Sequence, residues 1–397
     1  MRIAQPIVAL ACLVLAACPS DPDSPADTDA TTTTGSSTDG GPGPSTTPMD
    51  SSSGGPSTGD TTEGADGSEG SSGEPPPAEP AIQWVGRYDT SDPAVHRAGW
   101  SGAGFVVRFD GTGARVTMSD AARYHTLVVD GAVQPTVATS AGEATYVLAE
   151  GLPAGEHTIE LYRRTEGSFG PTVIHEVELD GELLPPPPVT RRMEVIGDSI
   201  SAGYGDEGIS PCSFSAETEN HYLTYGAIAA RAVGAELHTI AWSGKGVIYN
   251  YGDDVFEPMP EVYDRIMASE AAPWDYSWQP DVVAINLGTN DFSTDNDPSQ
   301  ELFVSEYVAF LAHLRQVHPQ ALLLVLAPSL FGAEATMVEG YLMDVVAQRQ
   351  AAGDPDVAFA DINVVWLGSG CDGHPDLATH AAMGDNLTVE LQSRLGW

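Results

Sequence analysis

The chain has 397 residues, of which 56 are acidic and 16 are Lys or Arg, giving a formal net charge of −40 at pH 7. This length suits two domains, and so large an excess of negative charge argues against binding to nucleic acid or to an anionic membrane through basic patches. A neutral polymer such as a polysaccharide remains compatible with the charge.

Residues 1–18 have the pattern of an export signal. Arg2 supplies the positive charge, a short apolar run follows, and small residues precede Cys18 in "LAAC". This ending resembles the bacterial lipobox, which implies cleavage before Cys18 and lipidation of its thiol. An ordinary secretory signal with an incidental cysteine is the alternative. We expect an exported bacterial lipoprotein, attached to the membrane only through its lipid and displayed at the cell surface.

Residues 19–80 are rich in Ser, Thr, Gly, Pro and Asp and contain no basic residue. Such a segment buries too little apolar surface to offset the entropy lost on ordering. We therefore predict a disordered, extended tether between the anchor and the folded part of the chain.

Residues 81–184 contain short runs rich in Val, Ile, Thr, Phe and Tyr, separated by Gly, Asp-Gly or Pro-Ala-Gly turns. Examples are "GFVVRFDG" and "ARVTMSD", and no helical period of useful length interrupts them. The pattern predicts a small β-sandwich of jelly-roll type. Four consecutive prolines at 185–188 then form a stiff connector.

Residues 189–397 alternate apolar strand-like runs with helical ones. The strands "MEVIG", "LHTIAW", "DVVAINLG", "ALLLVLAP" and "VAFADI" are nearly continuous in apolar residues, as strands buried on both faces are. The pattern predicts an α/β domain in which helices cover both faces of a parallel sheet. Sites in such domains lie at the carboxyl ends of the strands.

Four polar blocks occupy those positions. Ser199 follows the first strand, "SGKG" follows "LHTIAW", "GTND" follows "DVVAINL", and "CDGHPD" precedes the last helix. A serine at a tight turn that opens a helix has an exposed hydroxyl, although such a serine also serves elsewhere as a simple helix cap. His374 is the candidate base that would remove its proton.

The four blocks, in this order, resemble those of the SGNH, or GDSL-type, hydrolases. The stretches "WDYSWQPDVVAINLGTNDFS" and "CDGHPD" are similar to carbohydrate esterase family 2, as are "GRYD" and "WSGAGFVVRFDGTGARVTM" in the preceding β domain. That family pairs a β-sandwich with an SGNH domain and removes acetyl groups from plant polysaccharides. The resemblance implies a flavodoxin-like three-layer αβα domain and a serine esterase that needs no cofactor or metal.

The resemblance also implies roles for individual residues. The backbone N–H groups of Ser199 and Gly244 and the side-chain amide of Asn290 match the three oxyanion donors of the family, with Gly246 as an alternative to Gly244. Many SGNH enzymes carry an aspartate three residues before the histidine, but Asp372 lies two residues before it. We expect Asp372 to orient His374; a backbone carbonyl in that role would leave a Ser–His dyad.

Two further expectations concern cysteine and tryptophan. If the signal is removed and Cys18 is lipidated, Cys212 and Cys371 remain, and an exported protein would join them in a disulfide. Two separate thiols are the alternative. Three tryptophans near predicted strand ends are candidate platforms for sugar rings or, equally, packing residues: Trp274, Trp278 and Trp366.

The function expected is therefore deacetylation of an O-acetylated polysaccharide of xylan or mannan type through an acetyl-enzyme on Ser199, by a monomer. An enzyme of the same chemistry acting on lipid, peptidoglycan or sialic acid esters is one alternative. A surface glycan-binding lipoprotein with an inert hydrolase domain is another.

Overall fold

The computed structural model describes residues 78–366 and 368–397. The predicted export signal, Cys18 and nearly all of the predicted tether lie outside the described residues. Within the described ranges, no helix is long and apolar enough to cross a membrane.

The first domain is built from nine antiparallel strands of one sheet within the described residues. They run in the order β2-β9-β3-β8-β4-β5, with β1 and β7 paired to β3, and β6 paired to β4. Their side chains enclose a core that includes Phe105, Val107, Phe109 and Ile159. The strands are β1 (Gln83–Val85), β2 (His96–Ala98), β3 (Gly104–Asp120), β4 (Tyr124–Val129), β5 (Ala132–Val133), β6 (Val137–Ala138), β7 (Gly142–Ala149), β8 (Gly155–Arg163) and β9 (Thr172–Leu183). The predicted all-β domain is confirmed.

One detail of the sequence prediction for this domain is wrong. The runs "GFVVRFDG" and "ARVTMSD" belong to a single strand of 17 residues, β3, and no turn separates them. The first part of β3 pairs with β8 and the second part pairs with β7, and the register with β9 shifts between Gly111 and Ala114. The Asp-Gly pair therefore marks a bulge, which bends a strand without reversing it.

The second domain contains the predicted parallel sheet, whose five strands run in the order β11-β10-β14-β15-β16 within the described residues. Along β10, Val195 faces one core and Ile196 faces the other, as the alternation of a strand requires. The strands are β10 (Arg192–Gly197), β11 (Glu236–Ala241), β14 (Val282–Asn286), β15 (Leu322–Leu326) and β16 (Val357–Ala360), and a separate antiparallel pair is β12 (Arg265–Met267) with β13 (Glu270–Pro273).

Helices cover both faces of this sheet. The first face carries α2 and α6, through Tyr225 and Met383, and the second carries α4 and α5, through Tyr307 and Leu342. The helices are α1 (Ser199–Ala202), α2 (Tyr225–Val233), α3 (Met259–Val262), α4 (Gln300–Val317), α5 (Gly332–Ala351) and α6 (Leu377–Leu395). The three-layer αβα domain is confirmed.

The two domains meet through a buried ion pair. Nη2 of Arg87, which follows β1, lies 3.0 Å from Oε1 of Glu194 in β10, and both side chains are at most 2% exposed. The hydroxyl of Tyr263 donates to Oε2 of the same carboxylate at 2.7 Å. This network lies in the amino-terminal half of the parallel sheet, away from the strand ends that carry the predicted chemistry.

Candidate active site

The turn that carries Ser199, the candidate nucleophile, begins where β10 ends. Asp198 caps α1, since its carboxylate accepts the N–H of Ile200 at 3.0 Å, and Ser199 is the first residue of the helix. A Cβ on Gly197 would lie 2.0 Å from Oγ and 2.6 Å from Cβ of Ser201, so a larger residue would clash with the first turn of the helix. The helix cap is thus Asp198, and the hydroxyl of Ser199 is left available for another partner.

That partner is His374, which lies 175 residues further along the chain. Its Nε2 is 2.9 Å from Oγ of Ser199. Burial lowers the pKa of His374 below its ordinary value, against the opposing influence of the Cys371 backbone and the Asp372 charge. The imidazole is consequently neutral near pH 7 and able to accept the serine proton, which is the arrangement that general-base catalysis requires.

Asp372 does not contact this imidazole as the sequence led us to expect. Its backbone is left-handed, with φ of 50°, and its carboxylate accepts the hydroxyl of Tyr204 and the N–H of Phe214, both at 2.9 Å. Within the described residues, Nδ1 of His374 is buried and bonds to no side chain, and the backbone groups of Cys371 and Asp372 beside the ring favour its charged form. The Asp372 carboxylate is therefore engaged on the other side of its loop, and the expected bond from Asp372 to the imidazole is absent among the described residues.

Tyr204 packs on the face of the histidine and was not singled out from the sequence. Its ring centroid lies 4.2 Å from that of His374, and Phe214 stacks on its other side at 4.0 Å. The aromatic ring holds the plane of the imidazole, while its hydroxyl holds Asp372. Its place in the "GDSISAGYG" block, shortly after the nucleophile, was the one sequence signal for this role.

The candidate oxyanion donors come from two loops at the same rim. Asn290 is buried, and its Nδ2 donates to Oδ2 of Asp198 at 3.1 Å and to the carbonyl of Lys245 at 2.9 Å. Both amide hydrogens are thus engaged, and Asn290 must exchange one of these bonds to reach a substrate oxyanion. The N–H of Gly246 is bonded to Oδ1 of Asn250 at 3.3 Å, which favours Gly244 as the backbone donor of its loop.

Asp291 anchors the loop that follows Gly244. Its buried carboxylate accepts the N–H groups of Val247, Ile248 and Tyr249, with shortest distances of 2.9, 2.7 and 3.0 Å. Three backbone donors are a favourable environment for a buried carboxylate, although burial still raises the pKa of Asp291. Asp291 therefore positions the loop from inside the domain and does not face the nucleophile.

The predicted disulfide joins Cys212 to Cys371, whose Cα atoms are 4.7 Å apart. The bond connects the loop after α1 to the loop of His374, the candidate base. Backbone bonds reinforce it: the N–H of Asp372 donates to the carbonyl of Cys212 at 3.0 Å, and that of Cys371 donates to the carbonyl of Gly205 at 2.9 Å. The covalent link and these bonds fix the base relative to the nucleophile turn.

Two of the three candidate tryptophans lie elsewhere. Trp278 stacks on His238 with centroids 3.6 Å apart and donates to Glu236, the first residue of β11. The guanidinium carbon of Arg87 lies 5.8 Å from the ring centroid of Trp274. Both are therefore in the amino-terminal half of the sheet, where they pack between elements, and their positions do not support contact with a substrate at the opposite rim.

Other aromatic rings follow the carboxyl ends of the strands. Trp366 comes after β16 and packs edge-on against Phe331, which comes after β15 and is 63% exposed, with centroids 4.9 Å apart. Tyr251 is 71% exposed and donates its N–H to the carbonyl of Gly244 at 2.8 Å. Sequence reasoning singled out only Trp366 among these three, because Phe331 and Tyr251 lie in loops without a chemical motif.

Both domains match known families. Residues 84–188 match "Carbohydrate esterase 2 N-terminal", and residues 195–385 match "GDSL-like Lipase/Acylhydrolase family". "Cellulase/esterase CelE" of Acetivibrio thermocellus is 37% identical over 329 residues, which cover 80% of this chain but only 40% of that relative. An "Acetylxylan esterase / glucomannan deacetylase" of Cellvibrio japonicus is 24% identical over 328 residues, covering 81% of this chain and 90% of the relative.

A solved structure extends the match to both domains together. It is a family two carbohydrate esterase from Clostridium thermocellum in complex with cellohexaose, with a TM-score of 0.76 and 36% sequence identity. The match covers 80% of this chain and 100% of that one. The pairing of an all-β domain with an αβα domain is therefore shared over the whole length of the solved chain.

Proposed function

The chain belongs to carbohydrate esterase family 2 and is a carboxylic ester hydrolase, and on that basis we propose that it removes acetyl groups from an O-acetylated polysaccharide of xylan or mannan type. The observation that carries the proposal is the 2.9 Å contact between Nε2 of His374 and Oγ of Ser199 at the carboxyl rim of the sheet. A hydroxyl bonded to a neutral imidazole is an activated nucleophile.

The reaction proceeds in two half-reactions. Oγ of Ser199 attacks the acetyl carbonyl as His374 takes its proton, and the tetrahedral intermediate collapses when His374 gives that proton to the departing sugar oxygen. Water then attacks the acetyl-enzyme, His374 accepts a proton from it, and acetate leaves as the proton returns to Ser199. A Ser–His dyad performs every proton transfer in this scheme without a carboxylate bonded to Nδ1 of His374.

The negative charge of the intermediate needs donors that are in place before the reaction. We assign this role to the backbone N–H groups of Ser199 and Gly244 and to Nδ2 of Asn290. For Asn290, the bond to the Lys245 carbonyl is the one we expect to be exchanged, because the bond to Asp198 also holds the nucleophile turn. Each such donor is worth roughly 3–4 kcal/mol in the transition state.

The surface around the rim supports a sugar polymer as the substrate. The exposed rings of Tyr251 and Phe331 offer apolar faces of the kind that pack on pyranose rings. Trp366 is partly exposed beside Phe331. A net charge of −40 disfavours anionic polymers and leaves a neutral acetylated glycan as the compatible class.

Acetate release from a panel of acetylated xylan, acetylated glucomannan and acetylated peptidoglycan tests the proposal, with Ser199→Ala as the control. We expect acetate from xylan or glucomannan with the native enzyme and none with the variant. Release from peptidoglycan alone would redirect the assignment to that polymer. Binding of the glycans without any acetate release would support an inert hydrolase domain.

We also propose that the enzyme is tethered at the cell surface by a lipid on Cys18. The support is the "LAAC" sequence and the long acidic segment that follows it. Mass spectrometry of the mature N-terminus tests this, because a diacylglyceryl-modified Cys18 is expected and an unmodified terminus further along the chain would contradict it.

A further inference from the structure

The loop between β8 and β9 of the first domain reaches the second domain. The backbone carbonyl of Arg164 accepts the N–H of His221 at 3.0 Å, and its side chain forms an ion pair with Glu207. Phe169, at the end of the same loop, packs near Phe214, which stacks on Tyr204 beside the catalytic histidine. The loop is therefore held close to the active site by contacts on both sides.

Glu166 lies within this loop and is 3% exposed. Its Oε2 accepts the backbone N–H of Ser243 at 2.6 Å, and its Oε1 accepts the hydroxyl of Ser168 at 2.8 Å. The backbone of Glu166 is itself fixed, since its N–H donates to Glu219 at 3.2 Å and its carbonyl accepts Nη2 of Arg163 at 2.7 Å. The carboxyl group is thus rigidly placed, with both oxygens directed to hydrogen-bond donors.

The partner of Glu166 is next to a candidate oxyanion donor. Ser243 directly precedes Gly244 in "WSGKG". The N–H of Trp242 donates to the carbonyl of Gly197 at 3.2 Å, and the N–H of Lys245 donates to the carbonyl of Trp242 at 3.2 Å. Glu166 fixes Ser243 between them, and the N–H of Tyr251 donates to the carbonyl of Gly244 at 2.8 Å, so that these contacts together define the path of the backbone through Ser243 and Gly244.

We propose that Glu166 is a positioning residue for ester hydrolysis. By accepting the N–H of Ser243, the β-sandwich domain fixes the backbone from which the next peptide, Ser243–Gly244, presents its N–H to the oxyanion. The inference rests on the proposed function only in taking Gly244 as an oxyanion donor. It gives the first domain a part in the chemistry itself, distinct from any affinity for sugars.

The chemical character of Glu166 supports this role over simple adhesion between domains. Burial raises the pKa of Glu166, which means that its environment opposes the charged form. A buried carboxyl group is costly, and an apolar side chain would serve adhesion at lower cost. By contrast, the pair between Arg97 and Glu270 also joins the two domains, but those side chains are 30% and 38% exposed. That pair provides a matched control.

The test compares Glu166→Ala, Glu166→Gln and Glu270→Gln in hydrolysis of 4-nitrophenyl acetate. We expect Glu166→Ala to lower kcat by about 30- to 100-fold with KM changed less than about threefold, because a displaced donor acts in the transition state. Glu166→Gln should stay within about threefold of the native rate, since its amide oxygen still accepts the Ser243 N–H. Glu270→Gln should leave kcat unchanged.

A second readout separates positioning from folding. The native enzyme should hydrolyse the oxygen ester much faster than its thiono analogue, because sulfur accepts hydrogen bonds poorly. Glu166→Ala should reduce the ratio of the rate on the oxygen ester to the rate on the thiono ester. If Glu166→Ala does not fold, Glu166→Asp takes its place, since its shorter side chain keeps the carboxyl group but falls short of Ser243. A folded variant with native kcat and an unchanged oxygen-to-thiono ratio would overturn the proposal.

The small ester keeps this test separate from the polysaccharide assignment. Absence of acetate release from every glycan, with normal cleavage of 4-nitrophenyl acetate, would overturn the proposed substrate and leave the role of Glu166 intact. Native activity in Ser199→Ala would instead overturn the catalytic assignment on which both depend.

Discussion

Buried carboxyl groups at the two ends of the parallel sheet have pKa values shifted in opposite directions. In the amino-terminal half, burial raises the pKa of Glu194, but the charge of Arg87 and bonds from His318 and Tyr263 outweigh it and bring the pKa to about 2. At the carboxyl rim, burial and the charge of Asp291 raise the pKa of Asp198 to about 7. Glu194 faces a buried cation, whereas the neighbouring charge that shifts the pKa of Asp198 is that of another carboxylate, Asp291.

We infer from this difference that the residues at the amino-terminal end of the sheet stabilise the fold, whereas those at the carboxyl rim serve the reaction. A buried carboxylate with a matched cation is costly to disturb, and at the amino-terminal end such a pair joins the two domains. A rim that collects Ser199, His374, Asn290 and several carboxyl groups holds polar groups whose interactions are not optimised for stability. Substitutions at the rim should therefore cost activity, and substitutions at the opposite end should cost stability.

The sharpest test of this division is His374→Ala. Loss of the base should lower kcat by roughly 10⁴-fold or more, since a serine hydroxyl without a base is a poor nucleophile. The melting temperature should change little, because the substitution also relieves the burial of an imidazole whose Nδ1 bonds to no side chain among the described residues. Steady-state kinetics and calorimetry measure the two effects. A fall of more than about 5 °C with modest loss of kcat would contradict the division.

The opposite end is tested by Glu194→Ala. The substitution leaves the guanidinium of Arg87 buried and unpaired, which should cost about 3–5 kcal/mol of unfolding free energy. Because the folded pKa of Glu194 is lowered, its contribution is present above its unfolded pKa, near 4.5, and is lost as the pH falls toward about 2. Denaturant unfolding at pH 7 and pH 3 should show a larger penalty at pH 7.

The control for that experiment is Glu270→Gln, which removes a half-exposed ion pair and should cost at most about 1 kcal/mol. The kcat of folded Glu194→Ala should stay within about twofold of the native value. A large loss of kcat in the folded variant would mean that the two ends of the sheet are not independent.

Asp372→Asn tests whether the rim contains a triad. A carboxylate that orients the base would cost roughly 10⁴-fold in kcat when replaced by an amide. The hydrogen bonds to Tyr204 and Phe214 instead predict a loss of no more than about tenfold, because Asp372 acts on the histidine through its charge and through Tyr204. Tyr204→Phe, which keeps the ring on the imidazole, should resemble Asp372→Asn, and Tyr204→Ala should be worse than either.

The pH profile provides a second measurement on the same variant. The charge of Asp372 raises the pKa of His374, so its removal should lower that pKa further. The acidic limb of the kcat/KM profile should then move to lower pH, since the imidazole stays neutral to more acidic conditions. A shift to higher pH would contradict the assignment.

Much of this molecule follows from local sequence patterns. The apolar runs predicted each strand of the parallel sheet, and the blocks around Ser199, Gly244, Asn290 and His374 lie at strand ends, which parallel pairing brings to one rim. The disulfide followed from counting cysteines. These inferences succeeded because the periodicity and order of the elements determine them.

Other features depend on geometry that no local pattern contains. The direction of the Asp372 carboxylate depends on a left-handed backbone, and the contact of Glu166 with Ser243 joins residues of different domains. Trp274 and Trp278 follow β13 and precede β14, and the sequence did not indicate that their loop lies at the amino-terminal end. Each of these outcomes depends on contacts between residues that are far apart in the sequence.

The smallest expected effect concerns Asp206, a buried acid behind the rim. It is 1% exposed, neither carboxyl oxygen has a hydrogen-bond partner among the described side chains, and burial together with the charge of Glu207 raises the pKa of Asp206 to about 8. The folded protein therefore keeps this proton while the unfolded chain loses it near pH 4. The free energy of unfolding therefore loses the contribution of Asp206 progressively as the pH rises from about 4 to about 8.

Asp206→Asn replaces the acid by a group that is neutral at every pH, and so it should remove that loss. The melting temperature of the variant should exceed that of the native protein at pH 8 by a few degrees, and the difference should shrink at pH 5, where the native acid is already protonated. Asp344→Asn on the exposed surface of α5 controls for the general effect of lowering a net charge of −40. An equal gain from both variants would assign the effect to overall charge repulsion, whereas a gain confined to Asp206→Asn would identify a buried acid of the catalytic rim as a local source of instability.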